Sequence, residues 1–191
     1  MAKRIAAWAA CAASIGYGVP QILQVAGVLP DPIDRILIFA PSLALVPCYA
    51  VAVAALAAEA EGRDRGWRFG ALALALLYGA CASLVYPVQL GVVIPRELAH
   101  QQGAEIFSCC AFRNPLTVVD LLGYTYMSLS TLMLAPTYRG AARWALVANG
   151  VLAVPIFLQL FWPWLIWAAA PWLVTFPLAM ALVARAEREG A

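Results

Sequence analysis

Charged residues in this chain stand in short clusters between long apolar runs, and that segregation leaves few folds open. Six runs can be read, 5–29, 33–58, 69–94, 116–138, 144–161 and 165–184. Each approaches or exceeds the roughly 20 residues that a helix needs to cross about 30 Å of hydrocarbon at about 1.5 Å per residue. A soluble domain carries about 25% charged and about 45–50% apolar residues. Here 12% of 191 residues are charged and 64% are hydrophobic, so most of the chain is expected to face lipid. Inside a bilayer the backbone must bond to itself, which leaves helices or a closed barrel. Barrel strands alternate in polarity and these runs do not. The expected fold is all-α, one domain over 1–191 with six transmembrane helices in a cytoplasmic-type membrane.

Lysine and arginine give a direction. With the N-terminus inside, Lys3, Arg4, Arg63, Arg65, Arg68, Arg139, Arg143, Arg185 and Arg188 fall inside, and Arg35, Arg96 and Arg113 fall outside. Such a bias predicts both ends on the cytoplasmic side. The first run is long for a signal peptide and five more follow it, so it is read as retained. A net charge of +2 without a basic block gives no reason to expect nucleic acid.

The runs echo one another. Gln24 precedes Pro30 by the same interval that separates Gln89 from Pro95, and Gln159 stands shortly before Pro163. Ala40-Pro41 reaches Pro47 as Ala170-Pro171 reaches Pro177, and Val19-Pro20 with Leu23-Gln24 matches Val154-Pro155 with Leu158-Gln159. These echoes suggest three helical hairpins repeated in parallel, an arrangement used by some transporters. Chance in a chain rich in Ala, Leu, Val and Pro is the competing account. Prolines 20, 41, 47, 87, 155, 171 and 177 fall within runs and should bend or loosen the helices, as shape or as the wall of a cavity. The longest connection, 95–114, is polar; a short helix over 96–102 stopping at Gly103 is expected, as a cap over the bundle or as an ordinary exposed loop.

Asp120 reads as the one acidic residue within a run, where a carboxylate is costly and usually faces the bundle interior or water. Asp120, Tyr124, Ser128 and Thr131 recur at helical spacing, as do Ser14, Tyr17, Gln21 and Gln24, and Tyr78, Ala82, Tyr86 and Gln89. Lipid offers these groups no partners, so the three stripes should face one another. Counted from the helix ends, Gln24, Gln89, Asp120 and Gln159 lie roughly 6–9 Å deep, in one layer. A plainer account also fits. Asn114-Pro115 resembles a helix cap, and Asp120 would then sit near the interface, paired with Arg35, Arg96 or Arg113.

Tryptophan is concentrated late, at 144, 162, 164, 167 and 172; Trp162 and Trp164 suit an interfacial belt, and an aromatic ligand wall is the sharper alternative. Cys11, Cys48 and Cys81 are expected to pack as small apolar residues, whereas Cys109 and Cys110 fall in the polar loop. Several chemistries lack their residues. Lys3 is the only lysine, so no buried amine awaits a retinal, and His100 is the only histidine, so bis-histidine haem and a serine triad are excluded. No zinc or di-iron ligand set lies in the runs, so neither metal nor cofactor is expected.

The leading expectation is a protein that binds or transports a small lipophilic or cationic molecule, or a lipid, rather than an enzyme. Asp120, Tyr124, Gln21, Gln24, Tyr86, Gln89 and Gln159 would line an outer-half pocket. A membrane-embedded enzyme moving a proton on a lipid-soluble substrate, and a non-catalytic subunit or assembly factor, oligomeric or not, are the alternatives.

Overall fold

Six helices, each long and apolar enough to cross a membrane, make up the bundle: α1 (Ala2–Val25), α2 (Ile33–Ala58), α3 (Asp64–Leu98), α4 (Pro115–Thr137), α5 (Gly140–Leu158) and α6 (Pro163–Ala186). They fit a polytopic membrane protein. The structure, a computed structural model, describes residues 1–109, 112 and 114–189, the side chains of 187–189 excepted. Cys110, Arg113 and the Arg188 side chain, all invoked by the sequence reading, lie outside the described residues.

Each helix packs on its neighbours in the chain, and α6 closes against α1, so the helices form a ring. Aromatic side chains fill its axis. Tyr17 from α1, Phe39 and Tyr49 from α2, Tyr78 and Tyr86 from α3, Tyr124 from α4, and Trp172 and Phe176 from α6 are linked by ring contacts of 4.9–6.2 Å. Branched aliphatics such as Ile15, Val19, Ile22, Leu76, Leu84, Val154 and Val174 point outward and are exposed, a surface suited to lipid.

Where proline or polar residues interrupt the apolar pattern, the helices deform. α3 begins at Asp64 rather than near 69 and continues through a π turn, Gln89–Val93, to Leu98. The Ile94 N–H bonds the Gln89 carbonyl five residues back. Pro95 cannot donate to Gly91 as an α-helix requires, and the wider turn accommodates it. The helix expected over 96–102 is therefore only the tail of α3. It stops at His100, not Gly103: His100 takes φ 54°, and the His100 and Gln101 N–H groups return to the Glu97 and Arg96 carbonyls. That is the two-bond pattern of a Schellman ending, with histidine in the place glycine usually fills. α5 breaks at Leu152, ahead of Pro155, and α6 breaks before Trp172, at Pro171. Between α4 and α5 the backbones come close. A Cβ on Gly150 would lie 2.6 Å from Leu132 Cβ and 2.9 Å from its Cα.

Charges collect at the two ends of the bundle. At one end Lys3 pairs with Glu59, and Arg68 donates to the Leu56 carbonyl at 3.1 Å and lies over the Tyr138 ring. The Lys3 ammonium holds the Glu59 carboxyl below its usual range. At the other end Arg35 bridges Asp31 and Glu97, both at 2.6 Å, tying the α1–α2 turn and α2 to the tail of α3. One sequence expectation is corrected here. Asp120 is not the only acid within a span, because Asp34 lies in the first turn of α2 and is 7% exposed.

Candidate functional site

The site grows from α4. Its stripe turns inward as the spacing requires: Tyr124, Ser128 and Thr131 are buried and Asp120 is half-buried. The α3 stripe faces it, with Tyr78, Ala82, Tyr86 and Gln89 all buried. On α1, Ser14 is buried and Tyr17 stacks toward Tyr124 and Trp172. The three polar stripes thus meet at the axis through Tyr17, Tyr78, Tyr86 and Tyr124.

Asp120 stands close to the Tyr86 hydroxyl and the Cys109 thiol. The Tyr86 and Tyr124 hydroxyls are 2.9 Å apart. A hydroxyl carries one hydrogen, so Tyr86 cannot donate to both neighbours. With Asp120 ionised, all three groups are satisfied if Tyr124 donates to Tyr86 and Tyr86 donates to Asp120. With Asp120 protonated the chain reverses, and Tyr86 donates to Tyr124. The Tyr86–Tyr124 pair beside Asp120 can thus run in either direction, according to the charge of the carboxyl.

A folded loop lies over this pair, and Gln89 holds it. The Gln89 Nε2 donates to the Phe107 carbonyl at 2.7 Å, and its Oε1 accepts from the Cys109 N–H at 2.9 Å. Asn114 Nδ2 donates to the Glu105 and Ser108 carbonyls at 2.8 and 3.0 Å. Cys109, 6% exposed, thus reaches Gln89 with its backbone and Asp120 with its thiol. Asn114 serves this loop as well as standing at the start of α4, where its side chain makes no cap hydrogen bond. Cys109 is the residue that sequence reasoning missed: only the fold brings the loop back over Asp120.

The glutamines do not all share one cluster. Gln21 donates to Gln24 at 3.0 Å, and Gln24 donates to Asp34 at 2.7 Å. Asp34 also accepts from the Arg35 backbone N–H at 2.7 Å. Gln21 and Gln24 thus serve a second carboxylate at the α1–α2 turn. Gln159 is buried at the end of α5 and makes no side-chain hydrogen bond among the described residues. Pairing of Asp120 with Arg35 is not what the structure shows, since Arg35 is held by Asp31 and Glu97.

Deeper along the axis, Asn149 donates to Thr131 at 3.0 Å and accepts from Thr175 at 3.0 Å, and Tyr49 donates to Ser130, which donates on to the Ala71 carbonyl. Among the described residues no group of three or more His, Cys, Asp or Glu is placed to hold a metal ion. Two surface concavities flank the bundle. One, of about 310 Å³, is lined by Phe112, Thr117, Val118, Leu121, Leu160 and Phe161, and it opens along the turn of α4 that carries Asp120, which does not itself line it. Of the late tryptophans, Trp144, Trp162, Trp164 and Trp167 are exposed while Trp172 stands in the axis. Comparison with protein-family models, with curated proteins and with solved structures finds no match to this chain.

Proposed function

We propose that this protein is a multi-pass carrier or receptor for a small lipophilic or cationic ligand, with Asp120 as the group that takes the ligand's cation or a proton. One observation carries the reading. Asp120 stands within the apolar span of α4, and its described neighbours, a phenol and a thiol, bring no positive charge. A carboxylate there needs a counter-charge or a proton, because burial of an unpaired ion costs several kcal/mol. The Tyr86–Tyr124 pair supplies donors to the carboxylate, and the concavity lined by Thr117 and Leu121 supplies an approach from the lipid side.

Orientation belongs to the same proposal. The bundle end with Lys3, Arg68 and Arg185 would face the cytoplasm, which puts both chain ends inside and Asp120 in the outer half of a cytoplasmic-type membrane. The closed ring is what three parallel hairpins would produce, with α1–α2, α3–α4 and α5–α6 as the units.

The test uses protein reconstituted in vesicles, with an entrapped pH dye and the lipophilic cation tetraphenylphosphonium as probes. Wild type should bind the cation in competition with protons. Asp120→Asn should lose binding and proton movement by about tenfold or more while keeping its helical content. The aromatic filling of the bundle axis favours a second reading, a non-catalytic subunit. Absence of binding in wild type, or unchanged behaviour in a folded Asp120→Asn, would decide for that subunit.

A further inference from the structure

Five rings at the centre of the bundle touch in a closed circuit. Tyr124 meets Tyr78 at 6.1 Å, Tyr78 meets Tyr49 at 6.2 Å, Tyr49 meets Phe176 at 5.4 Å, Phe176 meets Trp172 at 4.9 Å, and Trp172 returns to Tyr124 at 4.9 Å. Two of these rings carry polar atoms that have no hydrogen-bond partner, Tyr78 Oη and Trp172 Nε1. Ser128 Oγ, one turn below Tyr124 on the same face of α4, is a third. All three residues are almost wholly enclosed, at 1%, 4% and 0% exposure.

Such atoms are rarely abandoned. A buried donor or acceptor without a partner costs roughly 1–3 kcal/mol, and a native interior keeps few of them. Three about one ring circuit, beside satisfied hydroxyls at Tyr49, Thr131 and Ser130, point to a shared partner. The donor set defines its chemistry. Indole N–H only donates, whereas the two hydroxyls can donate or accept. The partner therefore needs at least one acceptor atom and must be small.

We propose that the aromatic circuit encloses a hydration site in which water accepts from Trp172 Nε1–H and bonds the Tyr78 and Ser128 hydroxyls. A water needs two to four polar partners to be held inside a protein, and these three atoms would supply them. The site's role is structural and stands apart from the Asp120 reading. Ser128 is one turn from Tyr124, and its carbonyl accepts from Thr131, which accepts from Asn149. Water at Ser128 would therefore sit beside the Thr131–Asn149–Thr175 cluster and cross-link α3, α4 and α6 at the axis of the bundle.

Removing one hydroxyl at a time gives a test by sign. Tyr78→Phe and Ser128→Ala keep the apolar shape. In a hydrated site each loses a bond to water, and the melting temperature should fall by about 2–4 °C. In a dry site each removes an orphan polar atom, and the melting temperature should rise. Two hydroxyls on one water should also give a double variant that loses less than the sum of the single losses. Infrared difference spectra in ordinary and 18O-labelled water should show an isotope-sensitive O–H stretch in the wild type that both variants lose. A raised or unchanged melting temperature, additive losses, or no such band in the wild type would overturn the hydration site. These readouts need no ligand. If the carrier reading alone fails, Asp120→Asn behaves as wild type in the vesicle assay and the water band remains.

Discussion

Gln89 shows how far one residue can be read in advance. Helical spacing placed it on the same inward face as Tyr86, and it is there, 1% exposed. Its task was not legible. Both ends of its amide hold a loop whose return path is set by tertiary contacts, through Phe107 and Cys109. Gln89→Leu would leave a backbone carbonyl and a backbone N–H without partners and should loosen the loop by roughly 1–3 kcal/mol. In a variant keeping Cys109 as its sole cysteine, Cys109 should react with a maleimide about tenfold faster or more. An unchanged rate would mean that Gln89 does not clamp the loop. Asp34 is the opposite case. The sequence reading passed over it, in the first turn of α2, and its buried setting includes Gln24, ten positions earlier, donating across the hairpin.

At the scale of elements, the apolar runs announced six helices because the pattern that makes a helix insert in lipid is local. Their irregularities were partly legible. Prolines 155 and 171 mark the places where α5 and α6 break, and Pro95 follows the π turn of α3. Which proline would break a helix and which would be absorbed, as Pro41 and Pro47 are within α2, depends on neighbouring packing that spacing cannot show. The α4–α5 seam was likewise hidden, since Gly150 looks like any other small residue until Leu132 is placed against it. Gly150→Ala would put a methyl 2.6 Å from Leu132 Cβ and 3.0 Å from its backbone nitrogen. Overpacking of this kind costs about 1–3 kcal/mol. The melting temperature should fall, and Leu132→Ala should not restore it, because the Leu132 Cα and nitrogen remain in the way. Full rescue by Leu132→Ala would show that the conflict lies in the side chain alone.

For the molecule as a whole, composition predicted the class and the charge clusters predicted which helix ends keep company, but the filling of the ring was not foreseen. Trp172 illustrates why. Its sequence neighbours suggested an interfacial belt, and only ring closure brings it against Tyr124 and Phe176. The tie between Lys3 and Glu59 fastens the start of α1 to the end of α2, and its pH dependence has a definite sign. The Glu59 carboxyl is held below its ordinary 4.5 by the Lys3 ammonium, so the tie is present above that pH and is lost as pH falls through the lowered value. The pair is exposed, and its contribution should be small. The melting temperature of Lys3→Ala should lie slightly below wild type at neutral pH, and the difference should vanish in acid. A difference that persists in acid would show that Lys3 acts through something other than the Glu59 charge. The closing contact of α6 on α1 has a topological consequence. Every helix in the ring has two flanking neighbours, so no position in the packing is privileged as first or last. The connectivity is one choice among cyclic orders that the same six-sided packing would accept, with the short turns between helices, rather than the loop that Gln89 clamps, serving as openings.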